Sequence, residues 1–157
     1  MNLNWLELRV PPLLVLLAAM ALMVLMRTLT PSLTLDLDTA QRLGLSLPLL
    51  LLGIATALAG LIEFRRRRTT ANPMHPERAS TLVRSGVYRL TRNPMYLGML
   101  FALLALAVAL ANAATLLILP AFIVYMNRFQ ILPEERHLAH RFGADFQNLR
   151  REVRRWL

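Results

Sequence analysis

Four long segments without Asp, Glu or Arg constrain this chain more than any other feature of its sequence. They cover residues 10–26, 45–62, 95–111 and 113–126. Crossing roughly 30 Å of hydrocarbon at about 1.5 Å per helical residue takes about 20 residues, so the first two segments are close to this length and the last two are short. The sequence therefore predicts an all-α, polytopic integral membrane protein with about four transmembrane helices.

The charged residues lie between and after these segments. The chain is 56% hydrophobic, yet its formal net charge is +9, and all 18 basic residues are arginine. With four spans, Arg27 and Arg42 fall on one side of the membrane and the other arginines fall on the opposite side, so the positive-inside rule predicts that both termini are cytoplasmic. Nucleic-acid binding is disfavoured, because the arginines flank apolar spans and form no soluble basic face with interleaved aromatics.

The order of the segments predicts one structural domain in two parts. Residues 1–68 hold two N-terminal transmembrane helices, the first from about Val10 to Met26 and the second from about Leu45 to Phe64. We expect Arg27 to end the first helix. Residues 69–157 form the second part, which consists of a connector, a short hairpin of the third and fourth helices and a C-terminal helix.

Small residues and prolines predict how these helices pack and turn. Gly53 and Gly60 should let another helix approach the second one closely. We expect a tight turn at Asn112 in the hairpin and a kink at Pro120. The region after Pro133 repeats apolar residues at helical spacing, which predicts a cytoplasmic amphipathic helix, broken at Gly143, that lies on the membrane or covers the cytoplasmic mouth.

The residue inventory excludes several kinds of chemistry. The absence of Lys excludes a catalytic lysine, and the absence of Cys excludes thiolate nucleophiles and Cys-based zinc sites. The chain has no GxG or GK[ST] signature of a soluble nucleotide-binding site. His137 and His140 are three residues apart but have no evident third ligand, so we expect no metal site. His75, in the connector, is a candidate for contact with the substrate.

The stretch Gly86–Gly98, GVYRLTRNPMYLG, is the strongest candidate site. Asn93-Pro94 disfavours helix at Asn93 and allows one to begin at Pro94. Because the hairpin returns the chain to the face that it left, we expect Arg92 to lie near Glu134 and Glu135. An arginine facing glutamates suits a zwitterionic ligand with a carboxylate and an ammonium group.

Each of these residues also has a purely structural interpretation. Arg89 and Arg92 serve equally well as positive-inside anchors. Two glutamates directly after Pro133 are what the dipole of any helix N-terminus favours. The tyrosines at 88 and 96 suit a membrane interface, and the glycines at 86 and 98 suit turns and packing.

Three stretches together resemble a known family. GVYRLTRNPMYLG, the later PEERHLAHRFGADFQNL and the terminal VRRWL are similar to the isoprenylcysteine carboxyl methyltransferase family, which is related to the phospholipid methyltransferases. The resemblance covers about Asn72 to Leu157 and is to bacterial-type members. It implies an integral membrane methyltransferase of a bacterial inner membrane that uses S-adenosylmethionine and meets its lipophilic acceptor among the membrane lipids.

The resemblance also implies roles for individual residues. Arg92, assigned to the cofactor carboxylate, and Glu135, assigned to its amino group or ribose, are the two predicted catalytic residues. Eukaryotic prenylcysteine enzymes of the family carry His where this chain has Asn93, and Asn is neither an acid nor a base. The implied cofactor pocket consists of Gly86, Tyr88, Arg92, Asn93, Pro94, Tyr96, Gly98, Glu134 and Glu135.

Three functional hypotheses remain open at this point. The first is methylation of a carboxylate on a prenylcysteine-like or other lipidic compound. The second keeps the fold and the cofactor but places the methyl group on a phospholipid amine or a small thiol. The third is a non-catalytic, arginine-rich membrane protein that binds anionic lipid or a partner. The sequence does not choose among the acceptors.

Overall fold

The computed structural model describes residues 3–67 and 80–157, which form a helical bundle. Its α-helices are α1 (Pro12–Leu29), α2 (Thr39–Arg66), α3 (Pro94–Leu110), α4 (Ile118–Met126) and α5 (Leu132–Glu152). Short 3₁₀ helices cover Leu3–Leu6, Pro31–Leu33, Gly86–Arg89 and Ala113–Leu117. The predicted all-α class is confirmed.

Three helical stretches within the described residues are long and apolar enough to cross a membrane. They are Pro12–Leu29, Thr39–Arg66 and the continuous run Ala113–Glu152, while α3 is apolar but only 17 residues long. Leucines such as Leu14, Leu17 and Leu51 are more than half exposed on α1 and α2. Exposed leucines on long apolar helices suit contact with lipid, so the predicted membrane protein is confirmed.

The predicted ends of the first two helices need correction. The first turn of α1 holds Pro12 as expected, but the helix continues past Arg27, whose Nε donates a hydrogen bond to the Leu110 carbonyl at 3.1 Å. The prediction that Arg27 ends the helix is wrong. Likewise, α2 begins at Thr39, well before the predicted Leu45, because Asp38 caps it and accepts a hydrogen bond from the Gln41 amide at 2.8 Å.

Helices α2 and α3 pack closely through small residues. A Cβ built on Gly53 would lie 2.7 Å from the Gly98 carbonyl oxygen, so only glycine permits this approach. Two helical turns further along α2, a Cβ on Gly60 would lie 2.9 Å from Cγ of Pro94. The predicted role of Gly53 and Gly60 as contact points is confirmed, and the contact places the start of α3 against the end of α2.

At the opposite end of the bundle, the α3–α4 turn meets the α1–α2 loop. Asn112 accepts a hydrogen bond from the Ala114 amide at 3.0 Å, and its Nδ2 donates to the Thr30 carbonyl at 2.7 Å. The Leu35 amide donates to the Ala111 carbonyl at 2.7 Å. The expected tight turn at Asn112 is confirmed, and it is also tied to the loop between the first two helices.

The C-terminal helix is not separate from the returning helix of the hairpin. Helix α4 passes through a π-helical turn, Asn127–Ile131, directly into α5, so no free N-terminus exists at Pro133. Pro120 lies in the first turn of α4, where a missing N–H interrupts no α-helical hydrogen bond and no kink is required. The predicted break at Gly143 is confirmed by its φ of 50° and ψ of −122°.

Two apolar clusters hold the described residues together. The first lies between α1, α3 and α4, and its members include Met23, Leu103 and Phe122. The second consists of apolar residues of α5, including Phe146 and Leu149, packed against Leu82. The apolar face of α5 therefore packs against the segment that leads to α3.

Candidate active site

The turn before α3 is held by the end of α2. Gly86 has a φ of +60°, and a Cβ on it would lie 2.8 Å from Oε1 of the buried Glu63. Ser85 Oγ donates to Glu63 Oε2 at 2.6 Å. The ring of Tyr88 meets the ring of Phe64 edge-on, with 5.3 Å between centroids. These contacts fix the buried Tyr88 beside the end of α2.

The carboxylate of Glu135 lies between two arginine side chains. Its Oε1 accepts from Arg92 Nη2 at 2.7 Å and from Arg155 Nε at 3.1 Å, and its Oε2 accepts from Arg155 Nη2 at 2.7 Å. The side chains of Glu135 and Arg92 are 9% and 11% exposed, whereas that of Arg155 is 29% exposed. Such charge-assisted, bidentate contacts are strong when they are shielded from water.

Residues 153–157, which we call the C-terminal strap, run beside residues 91–93. The Arg92 amide donates to the Arg154 carbonyl at 3.0 Å, and Asn93 Nδ2 donates to the Arg155 carbonyl at 2.9 Å. Arg92 Nη1 also donates to the Val153 carbonyl. Trp156 Nε1 anchors the strap to Asn127 at 3.1 Å. The strap is therefore held mainly through its backbone carbonyls.

Glu134 faces a different set of partners from its neighbour Glu135. Its Oε1 accepts a hydrogen bond from the hydroxyl of the buried Tyr96, which extends from α3. Burial raises the pKa of the nearby Tyr88 hydroxyl well above its ordinary value, and the carboxylates of Glu134 and Glu63 add to this effect. Tyr88 therefore stays a neutral phenol between two glutamates.

The continuous helix from α4 to α5 removes the simplest structural interpretation of the two glutamates. Since Ile131 is itself helical, Glu134 and Glu135 do not sit at a free helix N-terminus and do not serve its dipole. Their contacts are instead with Tyr96 on one side and with Arg92 and Arg155 on the other.

The structure brings most of the predicted site residues to one place. Tyr88, Arg92, Asn93 and Tyr96 line the start of α3, opposite the two glutamates. The three remaining predicted pocket residues have packing contacts: Gly86 lies over Glu63, Pro94 against Gly60, and Gly98 against Gly53.

Other candidates from the sequence lie elsewhere. Arg89 is exposed next to the site, and His137 and His140 are exposed on α5. In the part of the chain that the structure describes, no group of three His, Cys, Asp or Glu side chains is placed to hold a metal ion. His75 lies outside the described residues, so its contact with a substrate stays a prediction.

Two residues of the site were not predicted. Arg155 belongs to the terminal VRRWL stretch, which contributed to the family resemblance but received no role. Glu63 stands just before the arginine run that ends α2, where it looks like an ordinary surface charge, and only the fold buries it to 8% exposure. The signal for Arg155 was present in the sequence, whereas Glu63 had none.

The charges of the site divide into two halves. Around Arg92, two guanidinium groups surround one carboxylate, which leaves this half positive and suited to an anionic group. Arg92 Nε is also buried without a hydrogen-bond partner among residues 3–67 and 80–157, so one donor remains to be satisfied. The other half holds Glu63, which pairs with Arg66 and Ser85, and Glu134, which accepts a hydrogen bond from Tyr96. Around Arg92, guanidinium donors and the carboxylate of Glu135 lie together, and such groups suit the two charged ends of a zwitterion.

The sequence that forms this site is similar to known proteins. A family model described as phospholipid methyltransferase matches residues 41–145, more than half of the chain. An uncharacterized protein of Haemophilus influenzae (strain ATCC 51907 / DSM 11121 / KW20 / Rd) is 41% identical over 63 residues, which are 40% of this chain and all of that protein. No solved structure matches the chain. The matched family region contains both Arg92 and Glu135 but ends before the C-terminal strap.

Proposed function

The chain belongs to the phospholipid methyltransferase family, and we propose that it transfers a methyl group from S-adenosylmethionine to a lipophilic acceptor in the membrane. The observation that carries the proposal is the meeting of Arg92 and Glu135. These residues are 43 positions apart, yet their side chains pair at 2.7 Å inside the region that the family model matches. The pairing supports the proposal because it brings together a guanidinium and a carboxylate, the two kinds of group that bind the charged ends of a zwitterionic cofactor.

The residues present fit the amino-acid end of S-adenosylmethionine. Arg92 has an unpaired buried Nε donor, and its guanidinium suits the cofactor carboxylate. Glu135 suits the ammonium group or the ribose hydroxyls. Tyr88, Asn93 and Tyr96 form the walls, while the remaining predicted pocket residues, Gly86, Pro94, Gly98 and Glu134, shape the site through their packing and hydrogen-bond contacts.

The chemistry expected of the protein follows from this cofactor. S-adenosylmethionine supplies a methyl group already activated on a sulfonium, so the protein mainly has to align an acceptor and exclude water. The burial of Tyr88 and Tyr96, at 6% and 4% exposure, keeps this part of the site dry. No residue is required to act as a base when the acceptor is a carboxylate or a thiolate.

A second acceptor class, an amine, is favoured by one specific observation. Glu63 and Glu134 put two acidic side chains beside Tyr88 and Tyr96, and the faces of aromatic rings attract the cationic headgroup of an amine-bearing lipid. The family description names phospholipids, whose headgroups include amines. The prenylcysteine-like carboxylate and the small thiol stay predictions. Labelled S-adenosylmethionine with a lipid extract, followed by identification of the methylated product, distinguishes these acceptors.

We also propose that the protein lies in the inner membrane of a bacterial cell. Its site and both of its termini are then on the cytoplasmic side. Leu8 of the N-terminal segment donates from its amide to the Phe129 carbonyl at 3.0 Å, and the C-terminal strap binds residues 91–93. The described ends of the chain therefore lie at the end of the bundle that holds the site, opposite Arg27.

Calorimetry with S-adenosylhomocysteine, the demethylated product, tests the cofactor proposal in detergent. We expect the wild type to bind and Arg92→Ala and Glu135→Ala to bind at least about tenfold more weakly, a loss of about 1.4 kcal/mol. Arg89→Ala, which removes an exposed cation from the same segment, is the control and should bind normally. Absence of wild-type binding, with salt-sensitive binding to anionic vesicles instead, would favour the non-catalytic hypothesis.

A further inference from the structure

We propose that the C-terminal strap gates the cofactor site. The guanidinium group of Arg155 binds the carboxylate of Glu135 until the ammonium group of the cofactor replaces it. The inference rests on the proposed function, because it assigns the ammonium of S-adenosylmethionine to Glu135. It concerns residues that lie beyond the stretch matched by the family model. The strap thus acts as an internal competitor for the cofactor.

Arginine side chains already bind both carboxylate oxygens of Glu135. Both of its oxygens accept hydrogen bonds from Arg155, at 2.7 and 3.1 Å, and one of them also accepts from Arg92. An ammonium group added to this arrangement would stand next to two guanidinium groups and would be repelled by both. Glu135 therefore becomes available to a third cation only when one arginine leaves.

The strap presents to the site the same two kinds of group as the proposed ligand. Its Val153 carbonyl accepts a hydrogen bond from the Arg92 guanidinium, as the carboxylate of the cofactor would, and its Arg154 carbonyl accepts one from the Arg92 backbone amide. Its Arg155 guanidinium donates to Glu135, as the ammonium would. Oxygen acceptors on Arg92 and a cation on Glu135 are the pair of groups that a zwitterionic amino acid presents.

Arg155 is the group that moves. Its side chain is 29% exposed, compared with 11% for Arg92, so Arg155 returns to water with the smaller loss of buried contact. Helix α5 ends before Val153, which is extended at φ −124° and ψ 133° and stays buried in the α5 cluster. Rotation about the Cα–C bond of Val153 therefore moves its carbonyl and residues 154–157 away from Arg92 while the Val153 side chain stays buried.

Titration of purified protein with S-adenosylhomocysteine tests the gate through two matched variants. Arg155→Ala frees Glu135 and should lower the Kd, by about tenfold if the strap is docked about nine-tenths of the time in the absence of ligand. Arg154→Ala removes the same charge from the neighbouring strap residue, whose side chain is exposed, and should leave the Kd within about twofold of the wild type.

Hydrogen–deuterium exchange on the wild type supplies a second measurement that needs no variant. The Arg92 amide is bonded to the Arg154 carbonyl, so it reports whether the strap is docked. We expect saturating S-adenosylhomocysteine to speed exchange of the Arg92 amide. Slower exchange of this amide would mean that the strap closes over the ligand and would overturn the gate.

The outcomes separate the gate from the function on which it rests. Tighter binding by Arg155→Ala together with faster exchange of the Arg92 amide in the ligand-bound wild type supports the gate. Binding by the wild type that Arg155→Ala weakens or leaves unchanged overturns the gate and leaves the methyltransferase proposal intact. If the wild type and both variants all fail to bind the ligand, the cofactor proposal itself is wrong.

Discussion

Gly53 of α2 and Gly98 of α3 face each other backbone to backbone, and a Cβ on Gly98 would lie 2.5 Å from the Gly53 carbonyl oxygen. This contact, together with Gly60 and Pro94, sets the distance between the helix that carries Glu63 and the helix that carries Tyr96. The spacing of the two halves of the site therefore depends on residues that contain no functional group.

Replacement of Gly98 by alanine tests this dependence. We expect Gly98→Ala to destabilise the protein by about 1–3 kcal/mol, because the new methyl group meets backbone atoms that have no room to move. Gly44→Ala is the matched control: Gly44 is also helical but has nothing within 4 Å of its Cβ position, so the change should be neutral or stabilising. Thermal unfolding in detergent compares the two, and equal midpoints would contradict the packing role.

The hydroxyl group of Tyr96 is expected to matter for stability as well as for the site. Tyr96→Phe leaves the Glu134 carboxylate without the hydrogen bond that it accepts from this residue, which should cost about 1–3 kcal/mol. Tyr125→Phe removes a hydroxyl that makes no hydrogen bond among the described residues and serves as the control. Denaturation in detergent should separate the variants, and a silent Tyr96→Phe would show that Glu134 does not need this partner.

The guanidinium shape of Arg92, and not only its charge, should be required. Its Nη2 binds Glu135 while its Nη1 binds the Val153 carbonyl, and one lysine ammonium does not reproduce this fork. We expect Arg92→Lys to weaken S-adenosylhomocysteine binding at least about tenfold, or 1.4 kcal/mol. The exposed Arg89→Lys should bind like the wild type. Full affinity in Arg92→Lys would instead favour a simple electrostatic anchor.

The N-terminal segment should be stabilised in a pH-dependent way through Glu7, which accepts hydrogen bonds from Arg128 and Arg136. Burial alone would raise the pKa of the Glu7 carboxyl, but the two guanidinium groups outweigh it and hold the pKa below its ordinary value of 4.5. Because the folded pKa is the lower one, the stabilisation is complete above the unfolded pKa and is lost as the pH falls through the folded pKa.

Replacement of Glu7 by glutamine measures this contribution. At pH 7 we expect Glu7→Gln to unfold more readily by up to about 1 kcal/mol, and the difference from the wild type should close at a pH below the folded pKa. The exposed Glu152→Gln is the control and should show no such convergence. A difference that persists unchanged at low pH would point to packing instead of charge.

Much of the fold was predictable because its signals are local. Asn93-Pro94 marks the start of α3, Asn112 marks the hairpin turn and Gly143 marks the break in α5, and all three predictions are confirmed. Errors arose where a local signal was overridden. Arg27 does not end α1, because its guanidinium binds the Leu110 carbonyl. The helix predicted after Pro133 has no free N-terminus, because a π-helical turn carries α4 into α5.

The sequence by itself determined the helical membrane class and the approach of Arg92 to the two glutamates, because charge segregation and the return of a hairpin follow from the order of residues along the chain. Only the tertiary structure decided which partners these residues have. Arg155 reaches Glu135 across 20 positions, and Glu63 reaches Ser85 across 22. Such pairings depend on which helix faces pack together and how closely, and periodicity along one helix carries no information about that.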